Sequence, residues 1–532
     1  MNSQHMNSLQ MTRRQLIKAL SLSTLILPFG NIAWAEKKFE KNPFSLGVAS
    51  GSPGAQSIVL WTRLIDDQLA SPNLHSEPIA VKWELAEDSQ FKKIIQSGVS
   101  LAVPALAYSV HVEVNGLPSN QWFFYRFQTG NAVSDVGRTR TLPAPNDLVD
   151  KLRMSYASCQ NYEHGHFSAY KHMRDEKLDL VMFLGDYIYE YGPGRRGVRT
   201  HNSGPLISLE DYRSRYVLYK KDENLKAMHA TCPWLMTWDD HEVQNDYAGL
   251  NPGSSKMGIS EFTQMRASAY QAYYEHLPLP SSVLIDGIDG LMRGAEMRLY
   301  GNFNYGRLVN ISILDDRQYR DPAVCTPSGS GSAVVDPSAC AGLGSPERTL
   351  LGFNQEKWLS GVLKNADKNR WNVIGQPTLY SQRYFPRGDN LLVWNDGWDG
   401  YPSARSRLNQ EFINNQVKNL VIFGGDIHEN WVGYIKRDFD NADSPVIGIE
   451  FCGTSITSMG NGSKSIKQRL QANPHFIFAE ATRKGYGVAE FTPKELIVTL
   501  RVVSDAGDEE TKIESLAKFR VQSQSNRIEI IS

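Results

Sequence analysis

Between Phe44 and about Pro143, hydrophobic and polar positions alternate over short stretches, most clearly at Ser57 to Thr62, Ile79 to Leu85, Ser109 to Val114 and Trp122 to Phe127. Turn residues separate these stretches and no helical period emerges. The pattern predicts short strands stacked as an all-β sandwich of about a hundred residues. Pro143, Pro145 and Asn146 then form a linker, after which continuous apolar runs alternate with helical periods. Strands are predicted at Leu152 to Ala157, Leu178 to Leu184, Trp234 to Trp238, Leu308 to Leu314, Trp371 to Gly375 and Leu420 to Phe423. Helices are predicted at Phe167 to Lys177, Ile259 to His276 and Gln355 to Lys364, and strand character returns after about Ser444. The chain therefore divides into an N-terminal leader over 1–35, a β-sandwich domain over 36–147 and an α/β domain over 148–532.

The leader carries an apolar run from Ala19 to Phe29, followed by Gly30. It is shorter than the roughly 20 apolar residues needed to span a membrane, and Pro28 interrupts it. Thr12-Arg13-Arg14-Gln15-Leu16-Ile17-Lys18 precedes it and Ala33-Trp34-Ala35 follows. This resembles a cleaved twin-arginine export signal, which implies recognition by the twin-arginine export machinery, a periplasmic or secreted product and no membrane anchor after cleavage. Over 532 residues, 41% hydrophobic and 21% charged content fits a globular protein with a sizeable core. Lys+Arg 56 against Asp+Glu 57 gives a net charge of -1, so no nucleic-acid-binding surface is expected. Cys325 and Cys340 bracket a Gly/Ser-rich loop and are expected to pair in an oxidising compartment, whereas Cys232 and Cys452 read equally as a bridge or as two buried thiols.

The candidate chemistry lies where the predicted strands end. They run into Ser158-Cys159-Gln160, Gly185-Asp186-Tyr187, Asp239-Asp240-His241-Glu242, Asp315-Asp316 and Gly424-Gly425-Asp426-Ile427-His428. In open α/β sheets the carboxyl ends of strands hold the ligand, so residues far apart in sequence are expected to converge there. Taken singly each has an ordinary alternative: Cys159 as a buried hydrophobe, Asp186 as a turn or cap residue, Asp240 to Glu242 as a helix N-terminus. Together they describe a pocket of oxygen ligands with a few softer donors, as a two-metal hydrolase requires. Thiolate, phenolate and imidazole suit iron or zinc, while carboxylates and the Asn245 carboxamide suit a harder ion. No G-x-S-x-G elbow, no Walker A lysine loop and no G-x-G-x-x-G dinucleotide turn in a strand-to-helix context is present. A glycosidase-like pair of carboxylates stays open on sequence alone.

The motifs resemble the PhoD-type alkaline phosphatase and phosphodiesterase family. The resemblance runs through Phe44 to Pro53, Val59 to Arg63, Ala157 to Gln160, Gly185 to Glu190, Thr237 to Glu242, Arg317 to Arg320, Trp398 to Pro402 and Gly425 to His428. It implies an α/β fold with an N-terminal β-sandwich of the immunoglobulin or fibronectin kind, followed by a metallophosphoesterase-like αββα sandwich. It also implies Fe(3+) on Cys159, Asp186, Tyr189 and His428, with Asp186 bridging to Ca(2+) on Asn245 and Asp426. Asp240 or Asp246 would serve a further ion. His241 and Arg405, with Arg195, are the candidates for leaving-group protonation and for clamping phosphate. The implied activity is hydrolysis of phosphomonoesters and phosphodiesters, with a metal-bound hydroxide or oxide attacking phosphorus and no phosphoenzyme. Two alternatives accompany this reading: a phospholipase D-like phosphodiesterase acting on phospholipid or teichoic-acid type substrates, and a secreted binding protein whose metal site is structural.

Overall fold

The computed structural model describes residues 38–65, 77–195, 197–327, 331–366, 371–460, 462 and 465–532. The leader expected over 1–35 lies outside these residues. Two large sheets set the architecture. The parallel run Leu152–Ala157, Leu180–Leu184 and Trp234–Thr237 forms the middle of a ten-stranded sheet. Antiparallel strands Gly485–Phe491, Glu495–Val503 and Ile513–Gln522 extend one side of it, ending at Ile528–Ile530. The second sheet has seven strands, with Val309–Ile313, Trp371–Gly375, Leu420–Gly424 and Val446–Cys452 parallel at its centre.

Every residue of Leu180–Leu184, Trp371–Gly375 and Leu420–Gly424 is buried, because a parallel strand is covered on both faces and so reads as a continuous apolar run. One core lies between the sheets, where Met154, Met182 and Leu184 meet Ile311, Val373 and Phe423. A second packs the helices Leu209–Lys220 and Ile259–His276 on the outer face of the larger sheet through Tyr216, Tyr273 and Trp234. A third packs Phe353–Leu363 and Pro402–Asn414 on the outer face of the smaller one through Leu359, Leu408 and Ile422. Each predicted strand of this region is present within a residue or two of its expected bounds, and the helix Ile259–His276 has the expected ones. The helices Leu209–Lys220 and Pro402–Asn414 were not legible: Arg215, Arg405 and Asn409 occupy buried positions that break the apolar stripe.

The N-terminal segment differs from a self-contained unit in one respect. Its strands enclose a core of their own, built on Leu60, Val81, Trp83, Val112 and Phe127. Yet Val48–Gly51, Ser57–Arg63 and Ser109–Asn115 continue the ten-stranded sheet, through parallel pairing of Gly51 with Trp234. Alternation along a strand reports which face is buried and carries no information about a partner so distant in sequence. Cys325 and Cys340 are disulfide-bonded, while Cys159, Cys232 and Cys452 are buried free thiols. No helix among the described residues is long and apolar enough to cross a membrane.

Candidate metal centre

The strand ends converge. Gly185 and Gly425 allow it: a Cβ on Gly185 would lie 2.5 Å from Asp239 Cβ, and one on Gly425 would lie 2.3 Å from Ser158 Oγ. The next residues leave their strands in the left-handed region, with φ of 60° at Cys159, 57° at Asp186, 64° at Asp426 and 57° at His428. Such a conformation costs a non-glycine residue on the order of 1–3 kcal/mol and clusters at functional sites. Four expected ligands therefore share an unfavourable backbone state that re-aims each side chain.

Sγ of Cys159, a carboxylate oxygen of Asp186 and a ring nitrogen of His428 lie within 4.8 Å of one another. Tyr189 completes the group: its hydroxyl donates to Asp186 Oδ2 at 2.8 Å and lies 3.2 Å from His428 Nε2. His428 Nδ1 donates to the Met459 carbonyl at 2.7 Å, which fixes the tautomer and turns Nε2 inward, an arrangement typical of ligating histidines. Burial holds His428 down to about 3, so its imidazole is neutral. Ser458, which sequence reasoning missed, donates to the Tyr189 oxygen at 2.7 Å. It stands in a loop after the strand Val446–Cys452 and has no local signal.

A second group, Asp186, Asp240 and His241, shares the Asp186 carboxylate. His241 Nδ1 faces Glu190 Oε2 at 2.7 Å and its ring stacks on Tyr189 with centroids 4.2 Å apart. Burial alone would lower His241, but Glu190, Asp240 and Asp186 together raise it well above the ordinary histidine range. A third group joins Asp240, Asp246 and Asp396. Asp396 was not anticipated, since it follows a strand of a small separate sheet and carries no pattern. Asn245 stands beside this group, its side-chain Oδ1 accepting from the Tyr191 hydroxyl at 2.9 Å and its backbone N–H donating to Glu190 Oε1 at 2.8 Å. Asp426 accepts from Thr378 Oγ1 at 2.9 Å and sits in the field of Asp239, Arg317 and Asp240.

The electrostatics fit cations. Asp186 Oδ1, Asp240 Oδ1, Asp239 Oδ2 and both oxygens of Asp316 are buried without a hydrogen-bond partner among the described residues. Burial pushes Asp186 and Asp426 well above the usual carboxylate range and raises Asp246 to about 7. Arg317, fully buried, answers part of this charge by pairing with Asp239 and with Asp396 at 2.8 Å, and Arg320 pairs with Asp396 at 2.5 Å. Buried carboxylates left unpaired cost several kcal/mol unless protonated or bound to a metal. Thiol, phenol, imidazole and carboxylate in one group and carboxylates alone in the other are the donor sets of a soft or trivalent ion and of a hard divalent one.

Two clamp candidates stand apart. Arg405 is buried in the helix Pro402–Asn414, where it donates to Asp399 Oδ1 at 2.6 Å, Gln382 Oε1 at 3.0 Å and the Tyr380 carbonyl at 3.3 Å. None of these belongs to the metal groups, so the structure does not bring Arg405 to the site: its guanidinium already has partners in the fold. Arg405→Lys is expected to lower stability by about 1–3 kcal/mol in a denaturant titration, with KM for a small ester changed by less than about twofold. Arg195 is exposed.

The disulfide bears on the third group. Beyond Cys325 the chain returns through Ser332, whose Oγ donates to Asp246 Oδ2 at 2.9 Å, and Ala333, whose amide donates to Asn395 Oδ1 at 2.7 Å, next to Asp396. Reduction of Cys325–Cys340 is expected to weaken binding of a divalent cation at Asp240, Asp246 and Asp396, measured by calorimetry, and to remove about 3 kcal/mol of chain-entropy stabilisation.

Comparison with known proteins identifies the family. The PhoD-like phosphatase model matches residues 154–500, and the PhoD-like phosphatase N-terminal domain model matches residues 31–143. Alkaline phosphatase D of Bacillus subtilis (strain 168) is 42% identical over 506 residues, 94% of this chain and 84% of that protein. The solved structure of PhoD superposes with a TM-score of 0.85 at 42% identity, covering 93% of each chain. A family model spanning most of the chain, the close relative and the superposition all agree, and the chain belongs to the PhoD-like phosphatase family.

Proposed function

We propose that this phosphoric ester hydrolase acts on phosphomonoesters and phosphodiesters with an iron(III) ion on Cys159, Asp186, Tyr189 and His428, with calcium on Asp186, Asn245 and Asp426, and with a further calcium at the group Asp240, Asp246 and Asp396. The single observation that carries the reading is the convergence of Cys159, Asp186 and His428, each in a left-handed backbone state, at the ends of strands from both sheets. The family supplies the reaction class and a metal cofactor; the donor chemistry supports the ion identities. The layered arrangement supports a metallophosphoesterase-like αββα sandwich preceded by an immunoglobulin-like β domain. The Arg13-Arg14 leader supports twin-arginine export to the periplasm or beyond.

When bound, such cations neutralise the phosphoryl oxygens and acidify a water. The protein's own groups do the rest. Asp186, common to two of the three groups, fixes their spacing. Thr378 and Ser458 orient the Asp426 carboxylate and the Tyr189 oxygen. His241, held by Glu190 at Nδ1 and kept protonated by Glu190, Asp240 and Asp186, acts here as an acid and not as an ion ligand, with Nε2 the nitrogen able to deliver a proton to a departing alcohol. The buried walls exclude bulk water from these dipoles and so strengthen them.

The test compares hydrolysis of a monoester and a diester with the same leaving group, before and after calcium chelation. Turnover of both that falls on chelation and returns with calcium is expected. Unchanged rates in chelator, or turnover of neither ester, would contradict the reading.

A further inference from the structure

We propose that the cleft between the edge strand Gly301–Tyr305 and the helix Phe353–Leu363 binds a neutral oligosaccharide. The cleft has a volume of about 690 Å³, within the range of small-molecule sites. Asn302, Asn304 and Asn310 form its floor, and Asn354, Lys357 and Trp358 are among the helix residues along its wall. It is separate from the metal centre: Asn304 pairs with Asn310 at the beginning of Val309–Ile313, and the catalytic strand ends lie at the opposite end.

Sequence chemistry makes this face unusual. The outer face of a sheet beside a packed helix is ordinarily apolar and β-branched, and asparagine is disfavoured in strands. Here a row of amides crosses the sheet. Asn304 Nδ2 donates to Asn302 Oδ1 at 3.4 Å, Asn302 Nδ2 to Asn310 Oδ1 at 2.5 Å, Asn310 Nδ2 to Asn372 Oδ1 at 3.5 Å, and Asn372 Nδ2 to the Ala366 carbonyl at 3.0 Å. The row runs one way, from the half-exposed edge inward to residues that are 5% and 3% exposed at Asn310 and Asn372. It orients each amide and leaves Asn304 Oδ1, at the outer end, as the acceptor presented to the cleft.

Opposite it Trp358 is half-buried, with its ring 4.9 Å from that of Tyr300, which in turn lies 5.8 Å from Tyr319. An indole face held by a second ring beside oriented amides matches a sugar, whose C–H face packs on an aromatic while its hydroxyls exchange hydrogen bonds with carboxamides. Among the lining residues Lys357 is the one with a charge and none is acidic, which argues against a metal ion or a polyanion and favours a neutral ligand.

Gly361 adds an independent observation. Glycine in a helix interior is among the least favourable choices, and a Cβ at Gly361 would meet no atom within 4 Å. Packing does not require glycine there. The missing side chain lines the cleft, and its absence keeps the space open.

The experiment uses the full exported protein with cellohexaose, maltohexaose and chitohexaose as probes, read by calorimetry and tryptophan fluorescence. At least one is expected to bind with Kd below about 1 mM. Trp358→Ala and Asn304→Ala are expected to weaken it at least tenfold. Gly361→Gln, which fills the cleft and improves the helix, is expected to abolish binding with an unchanged or raised Tm. All three variants should hydrolyse a small soluble ester within twofold of the parent, so this inference and the phosphatase reading fail separately. Absence of binding by all three probes at 10-fold higher concentration, or equal binding by Gly361→Gln, would overturn it. So would concentration-dependent dimerisation that Gly361→Gln removes while no oligosaccharide binds, because the face would then pair with a second copy.

Discussion

Replacing Asp186 by Asn is expected to lower kcat/KM for a phosphoric ester by about a thousandfold, equivalent to roughly 4 kcal/mol of transition-state stabilisation. Asp186 is the carboxylate shared by the thiol-containing and histidine-containing groups, and its Oδ1 is buried without a protein partner. Removing its charge weakens both ion sites at once, whereas its amide contact to Glu242 Oε2 at 3.2 Å persists. The effect on stability should have the opposite sign in the metal-free protein. There the carboxylate is pushed well above its usual range by burial, with Asp240 adding to the rise, so an amide of the same shape removes a penalty. Apo Asp186→Asn is therefore expected to be at least as stable as apo parent, while the loaded parent exceeds the loaded variant. Chemical denaturation of both forms in both metal states checks this. An equal loss in the two states would mean that Asp186 is an ordinary structural residue.

The second large effect separates charge neutralisation from framework in the third group. Calcium at a hundred times its Kd should stabilise the chain by about 2.7 kcal/mol through linkage. Asp246→Asn is expected to abolish that increment and to cost little in its absence, because Asp246 is raised to about 7 by burial and by Asp396 and Asp240. Asp396→Asn is expected to cost about 3–5 kcal/mol already without calcium. It removes the charge that pairs with Arg320 at 2.5 Å and with Arg317 at 2.8 Å, and leaves one oxygen acceptor where there were two. Thermal unfolding in calcium and in chelator distinguishes the two. Identical behaviour of the variants would contradict the distinction.

Strand ends were the legible part of the site. Cys159, Asp186 and His428 each follow a fully or mostly buried apolar strand, and that local pattern was enough to place them on one edge. What sequence did not show is pairing across long separations. Arg317 sits just past Val309–Ile313, in the Arg317-Gln318-Tyr319-Arg320 motif, yet only the assembled sheets reveal that it answers Asp239 and Asp396. Arg405 is the converse case: the resemblance offers it as a phosphate clamp from its place after the Asp399-Gly400-Tyr401 motif, and its partners in the fold are Asp399 and Gln382, which no local pattern announces. The segment Asp240 to Glu242 has the acidic character of a helix start but forms a turn; Glu242 accepts the backbone amides of Asp186, Tyr187 and Asp239, and so ties two strand ends together. The N-terminal strands were visible in their alternation, but their continuation into the larger sheet depends on Gly51 meeting Trp234.

The central claim is that Cys159, Asp186, Tyr189 and His428 hold a transition metal. Elemental analysis and the visible spectrum of purified protein, taken alongside Tyr189→Phe, test it most directly. About one iron per chain is expected, with a tyrosinate-to-iron absorption band that Tyr189→Phe removes. Full turnover by protein free of transition metal, or an iron spectrum unchanged in Tyr189→Phe, would contradict it.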